Sequence, residues 1–67
     1  MNQKNVEAIA DFFELALPTV DEVKAALLTA ALRKTDGHVV NAAKLLGVPS
    51  KTAYNWRNKY LTISVEG

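Results

Sequence analysis

A glycine at position 47 separates two short stretches rich in alanine and aliphatic residues, and no other feature restricts the fold so tightly. Before it runs Val39-Val40-Asn41-Ala42-Ala43-Lys44-Leu45-Leu46. After it, past Val48 and Pro49, runs Ser50-Lys51-Thr52-Ala53-Tyr54-Asn55-Trp56-Arg57-Asn58-Lys59-Tyr60. Glycine enters the left-handed region without penalty and commonly ends a helix. The pattern therefore predicts two helices, 39–46 and 50 to 60 or 61, meeting across a tight turn, with Ser50 as the second helix's N-cap. Helices joined so closely impose further demands. Ala43, four residues before the glycine, lies where the helices cross and must be small. Leu46 and Val48 flank the turn and must be buried, and Ala53 and Trp56 must face inward. The residues present meet each demand.

Upstream, Val6, Ile9, Phe12, Phe13, Ala16 and Leu17 recur at helical spacing, with Glu7, Asp11 and Glu14 elsewhere. They predict a first helix from Asn2 or Asn5 to Leu17, its early acids suiting the N-terminal dipole and Pro18 ending it. Thr19-Val20-Asp21-Glu22 reads as a capping box. Val23, Ala26, Leu27, Ala30 and Ala31 carry on that second helix, with Val20, Leu28 and Leu32 widening its stripe. Arg33 and Lys34 suit its C-terminus, and Asp36-Gly37 stops it, Gly37 supplying a left-handed cap. Residues 62–67 read as an extended tail. The expectation is an all-α, four-helix single domain over 1–67: dimerisation helices in 1–35, a helix-turn-helix unit in 39–61, and the tail.

A chain of 67 residues buries a small core. It has no cysteine, which excludes disulfides, a thiolate metal site and a cysteine nucleophile, and its lone histidine, His38, forms no zinc cluster. No metal, cofactor or small-molecule substrate is expected. An enzyme is the weakest reading, because no Gly-rich phosphate loop is present and the carboxylates fall at capping and solvent positions. Oligomerisation remains a common way to stabilise so small a chain. The first two helices are apolar over wider arcs than two short partners would cover, so Val6, Ile9, Phe12, Phe13, Leu17 and Leu28 are the candidates for a homodimer interface. Phe12 and Phe13 point about 100° apart on a helix and cannot both face one narrow seam; one is expected on the domain's own core and the other on a second copy, the alternative being that both are buried within one monomer. No apolar run approaches the roughly 18 residues of a membrane span, and no basic segment precedes an apolar run as in a secretory signal. A cytoplasmic protein without membrane partners is expected.

The net charge of +1 conceals a division. Up to Val23 five acids face one cation, whereas Lys24 to Leu61 carries seven cations and one acid, Asp36. From His38 to Val65 there is no carboxylate at all. Such a half faces a polyanion. On a wheel of about 100° per residue, Ala53, Trp56 and Tyr60 share one side of the last helix. Lys51, Asn55 and Asn58 lie opposite, flanked by Ser50 and Tyr54 on one side and by Thr52 and Lys59 on the other. Asparagine can read adenine and lysine guanine in the major groove of double-stranded DNA. Lys51, Thr52 and Asn55, near the helix start, are the expected base readers, and Ser50 a base or phosphate contact. Tyr54, Arg57, Asn58 and Lys59 are expected on phosphates or groove walls, with Lys44 and Lys34 outside them. Trp56 is expected in the core.

From about Lys24 to Tyr60 the chain resembles the Fis-type DNA-binding domain, shared by the nucleoid protein Fis and the C-terminal domains of enhancer-binding activators. The residues carrying the resemblance are Ala31-Leu32-Arg33-Lys34-Thr35-Asp36-Gly37-His38, then Ala42-Ala43-Lys44-Leu45-Leu46-Gly47-Val48, then Pro49-Ser50-Lys51-Thr52-Ala53-Tyr54. The resemblance implies N-terminal helices that dimerise, a helix-turn-helix pair on a pseudo-palindromic site, often with bending, and a bacterial or phage-encoded protein associated with the nucleoid. His38 stands where the family has Asn and Ala53 where a Leu packs. Asn55-Trp56-Arg57-Asn58 is less basic than the family's run, which implies a site-selective regulator with fewer phosphate contacts. The initial Met and short tail favour a stand-alone small repressor over an excised domain. The competing reading is a helical protein-interaction adaptor using the acidic first helix and Phe12 or Phe13.

Overall fold

Four α-helices and one π-helical turn make up the computed structural model, which describes residues 2–61: α1 Gln3–Leu15, α2 Val20–Lys34, α3 Val39–Leu46, α4 Ser50–Trp56, and the π turn Arg57–Leu61. The all-α class expected from the pattern is found. The proposed tail at 62–67 lies outside the described residues. No described helix is long and apolar enough to cross a membrane.

The helix ends follow from local chemistry. Asn2 caps α1, its side-chain oxygen accepting from the amides of Lys4 and Asn5 at 2.9 and 3.3 Å. No acid stands in that first turn, contrary to expectation; Glu7 falls one turn on and accepts from Gln3 at 3.3 Å. α1 stops at Leu15, two residues earlier than predicted, because the backbone before Pro18 is already extended at Ala16. The capping box of α2 is complete: Thr19 Oγ1 accepts from the Glu22 amide at 3.1 Å, and Glu22 Oε1 accepts from the Thr19 amide at 2.8 Å.

At the other end of α2 the Gly37 amide donates to the Leu32 carbonyl at 2.9 Å, five residues back. This is the closing bond of a Schellman turn. The left-handed residue nearest the helix is Asp36, at φ +55°, with Gly37 following at +85°. Gly37 is therefore the second left-handed residue, and Asp36 takes the position expected of it; a short polar side chain tolerates that region better than most. The turn at Gly47 repeats the design, with Gly47 at φ +73° and the Val48 amide donating to Ala43 at 3.1 Å.

α2, α3, α4 and the π turn pack on one another. The core is Leu28, Ala31, Val39, Ala42, Ala43 and Ala53, with Leu32, Leu46, Val48, Trp56 and Leu61 closing its edges. Four of its six residues are alanines, so the helices approach closely and bury little side-chain volume. Leu28 is the one large side chain that is wholly buried, at 0% exposure. The sequence places it at a dimer interface; it lies instead in the protomer's own core, on the part of α2 that α3, α4 and the π turn cover.

α1 contributes no buried residue. Neither Phe12 nor Phe13 reaches the core: Phe12 is 70% exposed and Phe13 half-buried, their rings 6.4 Å apart and tilted. The expected division of the two rings between core and partner therefore fails. Both line an open apolar groove of about 590 Å³ between the end of α1 and α2, with Leu17, Val23, Leu27 and Ala30 among its other walls. Val6, Ile9 and Leu17 are also exposed.

Candidate nucleic-acid interface

Ala53 decides which way α4 points. Its methyl group, 0% exposed, packs in the core beside Ala42 and Ala43. At about 100° per residue this turns Lys51, Asn55 and Asn58 outward, and all three are exposed. Ser50, Tyr54 and Lys59 are exposed beside them, and Lys44 is exposed on α3. Thr52 and Arg57 are half-buried at the two margins of this face. Ser50, Lys51, Thr52, Tyr54, Asn55, Arg57, Asn58 and Lys59 thus all lie on α4 or the π turn that follows it, six exposed and two half-buried. Lys44 and Lys34 stand on neighbouring helices, both exposed.

The start of α4 differs from expectation. Pro49, not Ser50, occupies the N-cap position, with φ −61° and ψ 147°, and no side chain caps the helix. The Ala53 amide donates to the Pro49 carbonyl at 3.1 Å, closing the first turn. Proline suits this place, since its fixed φ directs the chain out of the Gly47 turn and its missing amide is not needed. Ser50 becomes the first helical residue, its hydroxyl outward.

The end of the helix also differs. Instead of a continued α-helix, Arg57–Leu61 forms a π turn. Its wider bonding adds a residue to the turn and re-aims the side chains beyond it, and such turns gather at functional sites. The Arg57 guanidinium lies over the Tyr54 ring, 5.1 Å from its centre, and donates to Asn58 Oδ1 at 3.3 Å. Lys59 Nζ stands 5.4 Å from the Tyr60 ring. These contacts hold the two cations along the helix flank. No glycine, proline or break in periodicity between 50 and 61 announces the π turn.

Sequence reasoning also missed the way α2 grips this segment. The Tyr60 hydroxyl donates to Asp21 Oδ1 at 3.0 Å, and Lys24 Nζ sits 5.8 Å from the centre of the Trp56 ring. The carboxylate-free run from His38 to Val65 is a property of the linear chain. In space, Asp21 of α2 brings an acid to the far end of the recognition element.

A helix ending in a left-handed glycine, a second helix seated by a buried alanine and a polar, cationic outer face together form a helix-turn-helix. A family model described as bacterial regulatory protein, Fis family, matches residues 19–60. The chain belongs to the Fis family of bacterial regulatory proteins. Searches of curated proteins and of solved structures gave no match. The Fis-family segment begins at Thr19, the cap of α2, and ends at Tyr60, so it contains the whole core and leaves α1 outside. The Fis-type helix-turn-helix is a DNA-binding module of transcription regulators.

Proposed function

We propose that the protein is a site-selective transcription regulator that binds double-stranded DNA as a homodimer, with α4 in the major groove. The observation carrying this reading is the outward face of α4, where exposed Lys51 and Asn55 stand opposite the wholly buried Ala53. Lys51, Thr52 and Asn55 lie in the N-terminal half of the helix and read base edges. Ser50 contacts a base or a phosphate. Tyr54, Arg57, Asn58, Lys59 and Lys44 hold the phosphates and groove walls that fix the register.

The homodimer rests on α1 and the open side of α2. Val6, Ile9, Phe12 and Leu17 are exposed, and the groove beside Phe13 is apolar. A second copy covers this surface and presents a second recognition helix, so the bound site is pseudo-palindromic. The regulatory outcome is repression, because occluding a site needs no surface beyond the DNA-binding and dimer faces. The protein acts in the cytoplasm on the nucleoid of a bacterium or on phage DNA.

Selection from a random duplex pool tests the core of this reading. The expected product is a motif with two-fold symmetry, bound in a mobility-shift titration whose affinity falls steeply with salt. Asn55→Ala is expected to relax base choice at one position per half-site, at about 1–3 kcal/mol. Arg57→Ala is expected to weaken all sequences alike and to reduce the salt slope by about 1 per half-site. Absence of any shift at low salt overturns the reading.

A further inference from the structure

Two side chains of α2 and two of the recognition element meet at one place in the fold. Asp21 and Lys24 stand three residues apart on α2, and Trp56 and Tyr60 four apart, so each pair shares a helix face. Tyr60 donates to Asp21 Oδ1 at 3.0 Å and Lys24 Nζ lies 5.8 Å from the Trp56 ring centre. Between Trp56 and Tyr60 run Arg57, Asn58 and Lys59, the phosphate-facing residues, in the π turn. A π turn is a rare conformation, and here Trp56, just before it, and Tyr60, within it, both meet the first turns of α2.

We propose that Asp21, Lys24, Trp56 and Tyr60 form a clasp whose function is to position Arg57 and Lys59 for the DNA backbone. Asp21 and Tyr60 are then positioning residues: they touch no DNA, yet they set how many phosphates the π turn reaches. The proposal rests on the DNA-binding reading above and adds to it an acid that helps binding. That sign is unusual. Removing a carboxylate near a polyanion ordinarily tightens binding. If Asp21 acts through Tyr60, removing it weakens binding instead.

The test uses the full chain and a duplex selected by the parent protein, with fluorescence anisotropy over a series of salt concentrations. Tyr60→Phe keeps the ring and removes the donated bond. Asp21→Ala removes acceptor and charge, and Asp21→Asn removes the charge but keeps an acceptor. Tyr60→Phe and Asp21→Ala are each expected to weaken binding by roughly two- to tenfold, the effect of losing one modest hydrogen bond. In both, the slope of log affinity against log salt is expected to fall by about 1 as a phosphate contact is lost. Asp21→Asn is expected to bind as well as the parent or better.

A merely destabilised domain loses active fraction without changing the salt slope, so weaker binding at an unchanged slope overturns the proposal. Parent-like or tighter binding by Asp21→Ala also overturns it, including the case in which Tyr60 itself contacts a phosphate. If the parent fails to bind any duplex, the DNA-binding reading falls, and that outcome is distinct from failure of the clasp alone.

Discussion

Replacing Leu28 by alanine asks the most of this small core. Leu28 is its one wholly buried large side chain, and four of the other five core residues are alanines. Alanines fixed on helical backbones cannot move in to fill the space left behind. Only Leu32, Leu46, Val48, Trp56 and Leu61 at the edges could shift toward it. A Leu→Ala change with so little relaxation belongs in the upper part of the usual range, about 3–4 kcal/mol. At about 0.05–0.15 kcal/mol per residue, a chain of this length has roughly 3–10 kcal/mol of stability in all. Leu28→Ala is therefore expected to remove much or all of it. Urea titration followed by far-ultraviolet circular dichroism measures the loss. With a slope near 1 kcal/mol per molar urea, typical of small proteins, the midpoint is expected to drop by about 3 M, or the variant not to fold. The measurement should be made at two protein concentrations. A core residue gives the same drop at both. A drop below about 0.5 M, or one that shrinks on dilution, refutes the placement of Leu28 in the core and returns it to an association surface.

Phe12→Ala is expected to do the opposite. Because Phe12 is 70% exposed in the protomer, covering the rest of its ring is worth about 1–2 kcal/mol per copy, or 2–4 across a two-fold pair. Sedimentation equilibrium should then show dimer dissociation strengthened by roughly 30- to several-hundredfold, with little change in helix content. Gly47→Ala is expected to cost about 1–2 kcal/mol in the same urea titration. The added Cβ would meet no atom within 4 Å, leaving only the price of φ +73°; a loss well above that range contradicts the open geometry of the turn. The parent's own melting temperature is expected to rise with protein concentration, since association that favours the folded state shifts its stability by mass action.

Much of the fold was legible because it depends on local chemistry. The capping box at Thr19, the cations at Arg33 and Lys34 and the glycine at 47 each act within one or two turns of chain, and each is found where expected. The outward set on α4 was legible for a related reason: once Ala53 faces inward, helical geometry places Lys51 and Asn55 outside. What escaped is what depends on contacts between distant residues. Nothing in α2 distinguishes Leu28 from Leu27, yet one is wholly buried and the other 46% exposed. Their difference depends on which side of α2 meets α3, α4 and the π turn. The bond between Asp21 and Tyr60 spans 39 positions, and neither residue departs from a pattern that would mark it. The π turn also packs on α2, a contact between segments far apart in the chain.

An alanine core and an exposed α1 have a common consequence. Alanine at positions 42, 43 and 53 lets the helix backbones approach closely, which fixes the angle of α4 against the rest of the domain with little room to rock. It also limits the apolar area removed from water, and with it the stability that the protomer can generate alone. Several large apolar side chains, among them Ile9, Phe12, Leu17 and Leu27, lie outside the core and are exposed in the protomer. Precision in the recognition helix and strength of the fold are thus assigned to different surfaces. On this division, a substitution in the alanine core that preserves folding alters the aim of α4 and hence the choice of site. In the proposed homodimer, one on the α1 face alters how much folded dimer exists while leaving that choice intact.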